Sequence, residues 1–165
     1  MVVTTSSIYA KSLVVYYSLT GTTKELAGRI ALETGSDLFE LELKKPYSRN
    51  MSECDKESKA DRLNKVQREL KAQPDLSKYD TVFIGSPVWS NDLANPVETW
   101  ILQNQKELGT KTVVPFCTWW TGGNEFVLTA IKNLSTSKNV KPGLSQRHGE
   151  KADVKAWILN IGEKR

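Results

Sequence analysis

The stretch YYSLTGTTKELA, Tyr16 to Ala27, joins a predicted strand to a predicted helix. Its turn, Leu19 to Thr23, contains three hydroxyl side chains and one glycine but no charged group. The first amides of a helix have no partner inside the helix, and the helix dipole favours an anion at that end. Gly21 would let a ligand approach the backbone, and hydroxyl donors are available from Ser18, Thr20, Thr22 and Thr23. The turn therefore predicts a phosphate site.

An ordinary helix start would use some of the same residues. Thr22 and Glu25 have the spacing of a capping box, and the turn alone leaves the two interpretations open. Other motifs are absent from the sequence: there is no G-x-x-x-x-G-K-[ST], no set of three spaced glycines after the first strand and no G-x-S-x-G. These absences exclude the usual nucleotide-hydrolase loop, the dinucleotide fingerprint and the α/β-hydrolase nucleophile.

Strand and helix patterns alternate five times along the chain. Continuous apolar runs at 12–17, 79–86 and 111–118 predict strands that are buried on both faces, and alternation at 37–43 predicts a strand with one wet face. A fifth, weak strand is predicted within 140–148. Helices are predicted at 22–34, 53–72, 95–108, 124–134 and 150–162. The second of these helices would bury a stripe formed by Ala60, Leu63, Val66 and Leu70, and the third would begin with a capping box of Asn95 and Glu98.

This alternation predicts right-handed crossovers and a parallel sheet with helices on both faces. The second strand has one solvent-exposed face, and Pro142 and Gly143 interrupt the fifth strand. We therefore expect these two strands at the edges of the sheet. We therefore predict an α/β fold, a doubly wound three-layer sandwich with five parallel strands in the order 2-1-3-4-5. Pro115 would remove a hydrogen bond from the interior fourth strand, so we expect a bulge there.

In this order the chain reverses direction between the first and third strands, which opens a crevice at their carboxyl ends. Three loops should line that crevice. The first contributes the candidate residues Ser18, Leu19, Thr20, Gly21, Thr22 and Thr23. The second contributes Ser86, Pro87, Val88, Trp89, Ser90 and Asn91. The third contributes Thr118, Trp119, Trp120, Thr121, Gly122, Gly123 and Asn124.

Three of the five tryptophans, Trp89, Trp119 and Trp120, fall on these loops, whereas Trp100 and Trp157 occupy core positions of helices. One tryptophan alone would be explained as a loop anchor. Three at one crevice favour a flat aromatic ligand. A phosphate site beside an aromatic slot describes a mononucleotide-like cofactor.

The segments YYSLTGTTKELA, YDTVFIGSPVWSNDLANPV and KTVVPFCTWWTGGN resemble the three cofactor loops of the flavodoxins, and the similarity runs from about Leu13 to Ile161. The S-x-T-G-x-T pattern of the first loop is the most specific of these matches. The resemblance implies a flavodoxin-like fold and FMN as the cofactor. Residues 18–23 would then hold its phosphate, residues 87–91 would pack on the isoalloxazine and the ribityl chain, and residues 118–124 would cover the other side.

Two features depart from the flavodoxin pattern. Flavodoxins of this kind usually carry a glycine soon after the tryptophan of the second loop, where a peptide turns toward N5 of the reduced flavin, but this chain has WSND at 89–92. Asn91 tolerates a positive φ and can take the place of that glycine in the turn. The chain is also basic, with a formal net charge of +4, whereas electron-carrying flavodoxins are typically acidic. The excess lies in residues 111–165, which carry 9 basic and 4 acidic side chains.

The length of 165 residues and a hydrophobic content of 39% predict one domain over 11–165, preceded by a tail or strand extension at 1–10. Neither a membrane-spanning apolar run nor a signal-peptide pattern is present, which predicts a cytoplasmic protein. Cys54, in a segment expected to be exposed, and Cys117 lack C-x-x-C spacing, so we expect no metal site. His148, the only histidine, is expected on a surface loop. The lysines lack aromatic interleaving and do not predict nucleic-acid binding.

The favoured function is an FMN-binding redox protein that carries electrons between a reductase and an acceptor. The flavin would supply the chemistry, and no catalytic side chain is predicted. A phosphate held without a nearby lysine or arginine, together with tryptophan rings that exclude water, would lower the potential of the final reduction step.

Two other hypotheses stay open at this point. The first is an FMN-dependent NAD(P)H:quinone-type oxidoreductase, in which Lys141, Arg147 and Lys151 would meet the phosphates of the nicotinamide cofactor. The second is a flavin-free interaction module with the same fold. The expected partners are thus redox proteins, or NAD(P)H and a small acceptor, and the expected state is a monomer or a weak dimer.

Overall fold

A computed structural model describes residues 11–162. Seven strands are present in that range: β1 (Ser12–Tyr16), β2 (Asp37–Glu40), β3 (Thr81–Trp89), β4 (Asp92–Leu93), β5 (Thr112–Trp119), β6 (Asn139–Val140) and β7 (Leu144–Arg147). The same range contains six α-helices: α1 (Thr22–Thr34), α2 (Met51–Leu63), α3 (Asn95–Gln103), α4 (Gln105–Leu108), α5 (Asn124–Ser135) and α6 (Val154–Asn160). None of these helices is long and apolar enough to cross a membrane. The predicted tail at 1–10 lies outside the described residues.

The sheet confirms the predicted order. Parallel pairing joins the strands as β2-β1-β3-β5-β6, and β7 also pairs in parallel with β5. The fifth predicted strand is therefore present as two pieces, β6 and β7, on the same edge of β5. The short β4, which was not predicted, pairs antiparallel with the end of β3.

Pro115 lies inside β5, but the bulge expected there is absent. The pairing of β3 with β5 runs without a break from Thr81↔Thr112 to Pro87↔Thr118. On the other side of β5, β6 pairs as far as Val113 and β7 resumes at Phe116. The prediction of a bulge was wrong because the neighbouring strand, and not β5, is interrupted where the proline lacks its N–H.

Helices cover both faces of the sheet. On one face, α1 and α6 pack Leu26, Ile30 and Trp157 against alternate side chains of the central strands, including Phe83 and Phe116. On the other face, α3 and α5 bury Trp100, Ile101, Val127 and Ile131. Trp100 and Trp157 are both core residues, as predicted.

The crossover segment after β2 differs from its prediction. Helix α2 ends at Leu63 and does not continue to Ala72, so that Leu63 is 83% exposed and Val66 48% exposed. Leu70 is buried, but through an isolated antiparallel bridge to Leu43. The buried face of α2 consists of Cys54 and Ser58, which corrects the expectation that Cys54 is exposed.

An ionic network replaces the expected apolar stripe of the crossover. The Arg68 guanidinium lies 2.7 Å from Asp61 and 3.3 Å from Glu57, and it stacks over the ring of Tyr47 at 3.7 Å from the centroid. The Tyr47 hydroxyl donates to Asp61 at 2.7 Å. Because these side chains satisfy one another, the segment packs on the core without a continuous helical stripe.

The capping box predicted for the third helix is also absent. Helix α3 has Ala94 at its N-cap, and the Asn95 side chain accepts a hydrogen bond from Arg62 instead of capping the helix. Glu98 accepts from the same guanidinium at 2.6 Å. Both side chains therefore connect α3 to α2. The local sequence spacing could not predict this, because Arg62 lies in another helix.

We predict that Gly85→Ala destabilises the sheet while Gly28→Ala does not. A Cβ on Gly85 would lie 2.1–2.7 Å from ring atoms of the fully buried Phe116, whereas one on Gly28 in α1 would meet nothing within 4 Å. The first variant should lose about 1–3 kcal/mol through overpacking. The second should gain up to about 1 kcal/mol of helix propensity. Urea unfolding of the two proteins measures both values, and equal midpoints would contradict the prediction.

Candidate cofactor site

The loops that follow β1, β3 and β5 meet at one edge of the sheet. The parallel registers Tyr16↔Gly85 and Pro87↔Thr118 bring these strand ends together. A narrow cavity of about 30 Å³ lies between the loops, lined by Leu19, Thr20, Thr22, Thr23, Met51, Pro87, Val88, Trp89, Thr118 and Trp120. The crevice that the strand order predicts is therefore present, and Met51 is the one lining residue from outside the three predicted loops.

A buried hydrogen bond joins the first loop to the third. The hydroxyl oxygens of Thr23 and Thr118 are 2.8 Å apart, and both residues are at most 5% exposed. Thr23 is the second residue of α1 and Thr118 is the last residue but one of β5, so the bond connects two residues 95 positions apart in the chain. It fixes the distance across the floor of the cavity.

Ser18 caps the helix that follows the first loop. Its Oγ accepts from the backbone N–H groups of Gly21 and Lys24 at 3.1 and 3.2 Å. The capping box of Thr22 and Glu25, which the sequence left open as an alternative, is absent. Gly21, at φ 101°, folds the turn back so that Ser18 can reach these amides. Within residues 11–162, the amides of Thr22 and Thr23 have no acceptor in the protein. Two free amides beside threonine hydroxyls form a donor set that suits a phosphate.

Charged side chains lie near this turn, contrary to the expectation of an uncharged surrounding. Lys24 and Arg49 line a cavity of about 370 Å³ beside Ser18, Leu19, Thr20 and Gly21, together with Glu40. The Lys24 ammonium is 3.1 Å from the Glu40 carboxylate. The turn itself carries no charge. Arg49 belongs to a segment distant in sequence, so the loop motif could not predict its position beside the turn.

The second loop is a tight hairpin between β3 and β4. Its two central residues, Ser90 and Asn91, have φ values of 50° and 62°, so the positive φ considered for Asn91 is confirmed and extends to Ser90. Two successive positive φ angles match the twist of a two-residue hairpin. The Ser90 hydroxyl donates to Asp55 of α2, and hydrogen bonds from Lys59 and Ser90 lower the pKa of that carboxyl. Arg62 of α2 donates to the Leu93 carbonyl at 2.6 Å.

The third loop packs on the hairpin through Gly123. This residue has φ 81°, and a Cβ there would lie 2.6 Å from Asn91 Cα and 2.8 Å from Val88 Cγ1. Only a residue without a side chain permits such an approach at that φ. The backbones of the second and third loops are therefore in direct contact.

The three indoles at the crevice have different environments. Trp89 is only 8% exposed and packs edge-on against Tyr17 and Tyr47, each with a centroid distance of 5.3 Å. Trp119 is partly buried, and its Nε1 is buried with no acceptor among the described residues. Trp120 is 58% exposed and stacks on His148. Of the three rings, Trp120 is the one that offers open surface to a ligand.

Other predicted residues have internal roles. Ser86 is fully buried, where its hydroxyl donates to the Pro87 carbonyl and accepts from the Ala94 amide. Asn124 donates to Ser145 at 3.3 Å and so ties the third loop to β7. Burial raises the pKa of Cys54 to about 11 and that of Cys117 to about 12, so both thiols stay protonated at neutral pH. No group of metal-ligating side chains is found between residues 11 and 162.

The fold defines a doubly wound α/β protein, and the crevice lies at its topological switch point, where ligands bind in such sheets. The flavodoxin family model matches residues 11–161, and the chain belongs to that family. No protein with a curated function matches the sequence significantly.

Solved structures give the same assignment of the fold. A candidate flavoprotein from Bacteroides eggerthii is 29% identical, with a TM-score of 0.75, and the match covers 94% of this chain and 99% of that one. A flavoprotein from Lactobacillus acidophilus, solved in complex with FMN, is 24% identical, with a TM-score of 0.73 and coverage of 90% and 98%. An NADH:FMN oxidoreductase in its apo form is 14% identical, with a TM-score of 0.60 and coverage of 92% and 86%.

We predict that Gly123→Ala separates the second and third loops, whereas Gly122→Ala leaves them together. The first substitution places a Cβ against the Asn91 backbone at a positive φ and should cost about 2 kcal/mol or more. A Cβ on Gly122 would approach nothing closer than 3.8 Å, so that variant should stay within about 0.5 kcal/mol of the parent. Urea unfolding measures the difference, and equal stability of the two variants would rule out the close contact.

Proposed function

We propose that this protein binds FMN and carries electrons between a reductase and an acceptor. The observation that carries the proposal is the placement of free helix amides and threonine hydroxyls at the same sheet edge as the exposed Trp120. Membership of the flavodoxin family and the FMN complex of the Lactobacillus relative support the choice of cofactor. Bound FMN would supply electron transfer in one- or two-electron steps.

The first loop would hold the phosphate of FMN. The amides of Thr22 and Thr23 and the hydroxyls of Thr20 and Thr22 are available as donors, and the α1 dipole adds to them. The Thr23 hydroxyl is already bonded to Thr118, so its role is to fix the helix start. Charge-assisted hydrogen bonds of this type are stronger than neutral ones.

Lys24 and Arg49 change the electrostatic argument made from the sequence. Both cations line the cavity beside the first loop, so they offset part of the negative charge of a phosphate dianion. Glu40, which pairs with Lys24, cancels part of that effect. With these cations present, the phosphate site gives no reason to expect a low potential for the final reduction step. Exclusion of water by Trp89 and Trp120 is the remaining contribution that disfavours an anionic flavin.

The cavity between the loops must widen to admit a flavin ring, because its volume is only about 30 Å³. Met51 and Trp120 line it from different segments and are 53% and 58% exposed. A methionine side chain is flexible, so a change of its rotamer costs little free energy. We propose that Met51, at the start of α2, gives way when FMN binds and then covers the ring from water.

The positions of the basic residues favour an electron carrier over a direct NAD(P)H oxidoreductase. Lys141 lines a surface cavity with Pro115 and Gly143, beside the gap between β6 and β7. Arg147 lies at the far end of β7, over the Trp119 ring at 5.4 Å. Lys141 and Arg147, two of the three cations proposed to bind the phosphates of a nicotinamide cofactor, therefore do not point to one common phosphate position.

We predict that FMN binds and that riboflavin, which lacks the phosphate, binds at least about 10-fold more weakly. The ratio follows from the hydrogen bonds of about 1.5–3 kcal/mol that charged groups make with protein donors. Thr20→Val should weaken FMN binding and leave riboflavin binding unchanged, and Thr129→Val, an exposed threonine of α5, should affect neither. Calorimetry measures all three proteins. Equal affinity for the two flavins would exclude a phosphate site in the first loop.

We also predict that NADPH alone reduces the bound flavin slowly. Anaerobic stopped-flow mixing of the FMN-loaded protein with NADPH should show little bleaching until a flavin reductase is added. Dithionite provides the control, since it should bleach the same sample at once. Rapid bleaching by NADPH without a second protein would replace the carrier assignment with that of an FMN-dependent oxidoreductase.

A further inference from the structure

We propose that His148 is a positioning residue of the flavin site, which holds the Trp120 ring in place for stacking. The proposal rests on the FMN function proposed above and adds a residue that lies outside the three cofactor loops. His148 follows β7, the outer strand piece beside β5. It has no need to contact the flavin, because it acts through the indole.

The first observation is the stack itself. The rings of Trp120 and His148 are 3.5 Å apart between centroids and inclined by only 10°. Trp120 also lines the cavity between the cofactor loops. One face of an otherwise exposed indole is thus covered by the imidazole, while the same side chain borders the candidate site.

The second observation is that hydrogen bonds fix the backbone at both partners. The His148 amide donates to the Trp119 carbonyl at 2.7 Å, and Arg147 Nε donates to the Trp120 carbonyl at 3.2 Å. The Glu150 amide closes the turn after β7 by donating to the Arg147 carbonyl at 3.0 Å. His148 therefore lies in a hydrogen-bonded turn, which fixes the position of its backbone beside Trp120.

Such a support has a physical purpose. An exposed tryptophan samples several rotamers, and a ligand that stacks on it must restrict that freedom. A ring that is already stacked on one face loses less conformational entropy when the ligand binds. This effect is preorganisation. Phe126 is equally exposed at 58% but does not line the cavity, so exposure of an aromatic ring near this loop does not by itself imply the same role.

The experiment is a double-mutant cycle on FMN affinity, measured by calorimetry. His148→Ala should weaken FMN binding roughly 2- to 12-fold, the range expected when an aromatic pair is lost. Trp120→Ala should weaken it about 10-fold or more. In the double variant, His148→Ala should add almost nothing, because its effect passes through Trp120. Additive effects of the two changes would overturn the proposal.

Two further variants distinguish stacking from a general effect on folding. His148→Phe keeps a flat ring and should stay within about 2-fold of the parent, whereas His148→Leu should resemble His148→Ala. Phe126→Ala should bind FMN like the parent. Failure of the phenylalanine to rescue affinity would exclude a stacking role for His148.

A readout without flavin completes the test. In the FMN-free protein, acrylamide should quench tryptophan emission more strongly in His148→Ala than in the parent or in His148→Phe, and Trp120→Phe should abolish that difference. Unchanged quenching in His148→Ala would contradict the stack. Absence of FMN uptake by the parent protein would overturn the proposed function and this inference together, whereas uptake that His148→Ala leaves unaltered would overturn this inference alone.

Discussion

The parallel pairing of β3 with β1 on one side and β5 on the other is the constraint on which the site depends. Because parallel strands run in the same direction, their carboxyl ends lie at one edge, and the loops that leave them must share that edge. The register is continuous for seven residue pairs between β3 and β5. Gly85 makes room within this central pair for the Phe116 ring, which fills the core beneath the crevice.

Each cofactor loop is then held by a different kind of contact. The first is fixed to β5 by the hydrogen bond between Thr23 and Thr118. The second is fixed to α2 by Asp55 and Arg62. The third lies against the second through Gly123. None of these contacts uses the amides of Thr22 and Thr23 or the open surface of Trp120. The loops are therefore held together while these candidate ligand-binding groups stay available.

Sequence patterns were sufficient for the parts of the fold that depend on apolar periodicity. The strand order, the core positions of Trp100 and Trp157 and the meeting of the three loops all follow from where apolar runs begin and end. The same reasoning failed at α2, because Cys54 and Ser58 form its buried face and give no hydrophobic stripe. It also missed Arg49 and the His148 stack, since both depend on contacts between segments far apart in the chain.

The misassigned crossover is also the segment that supports one wall of the cavity. Tyr47 packs edge-on against Trp89, and burial together with the hydrogen bond to Asp61 raises the pKa of Tyr47. The phenol therefore remains a donor, and Arg68 covers its ring from the other side. A polar network that sequence periodicity cannot detect thus keeps Trp89 in the core and leaves Trp120 as the exposed ring that lines the cavity. This division explains why three tryptophans at one crevice need not share one role: neighbouring elements, and not the residue type, decide which indole has a face open to the crevice.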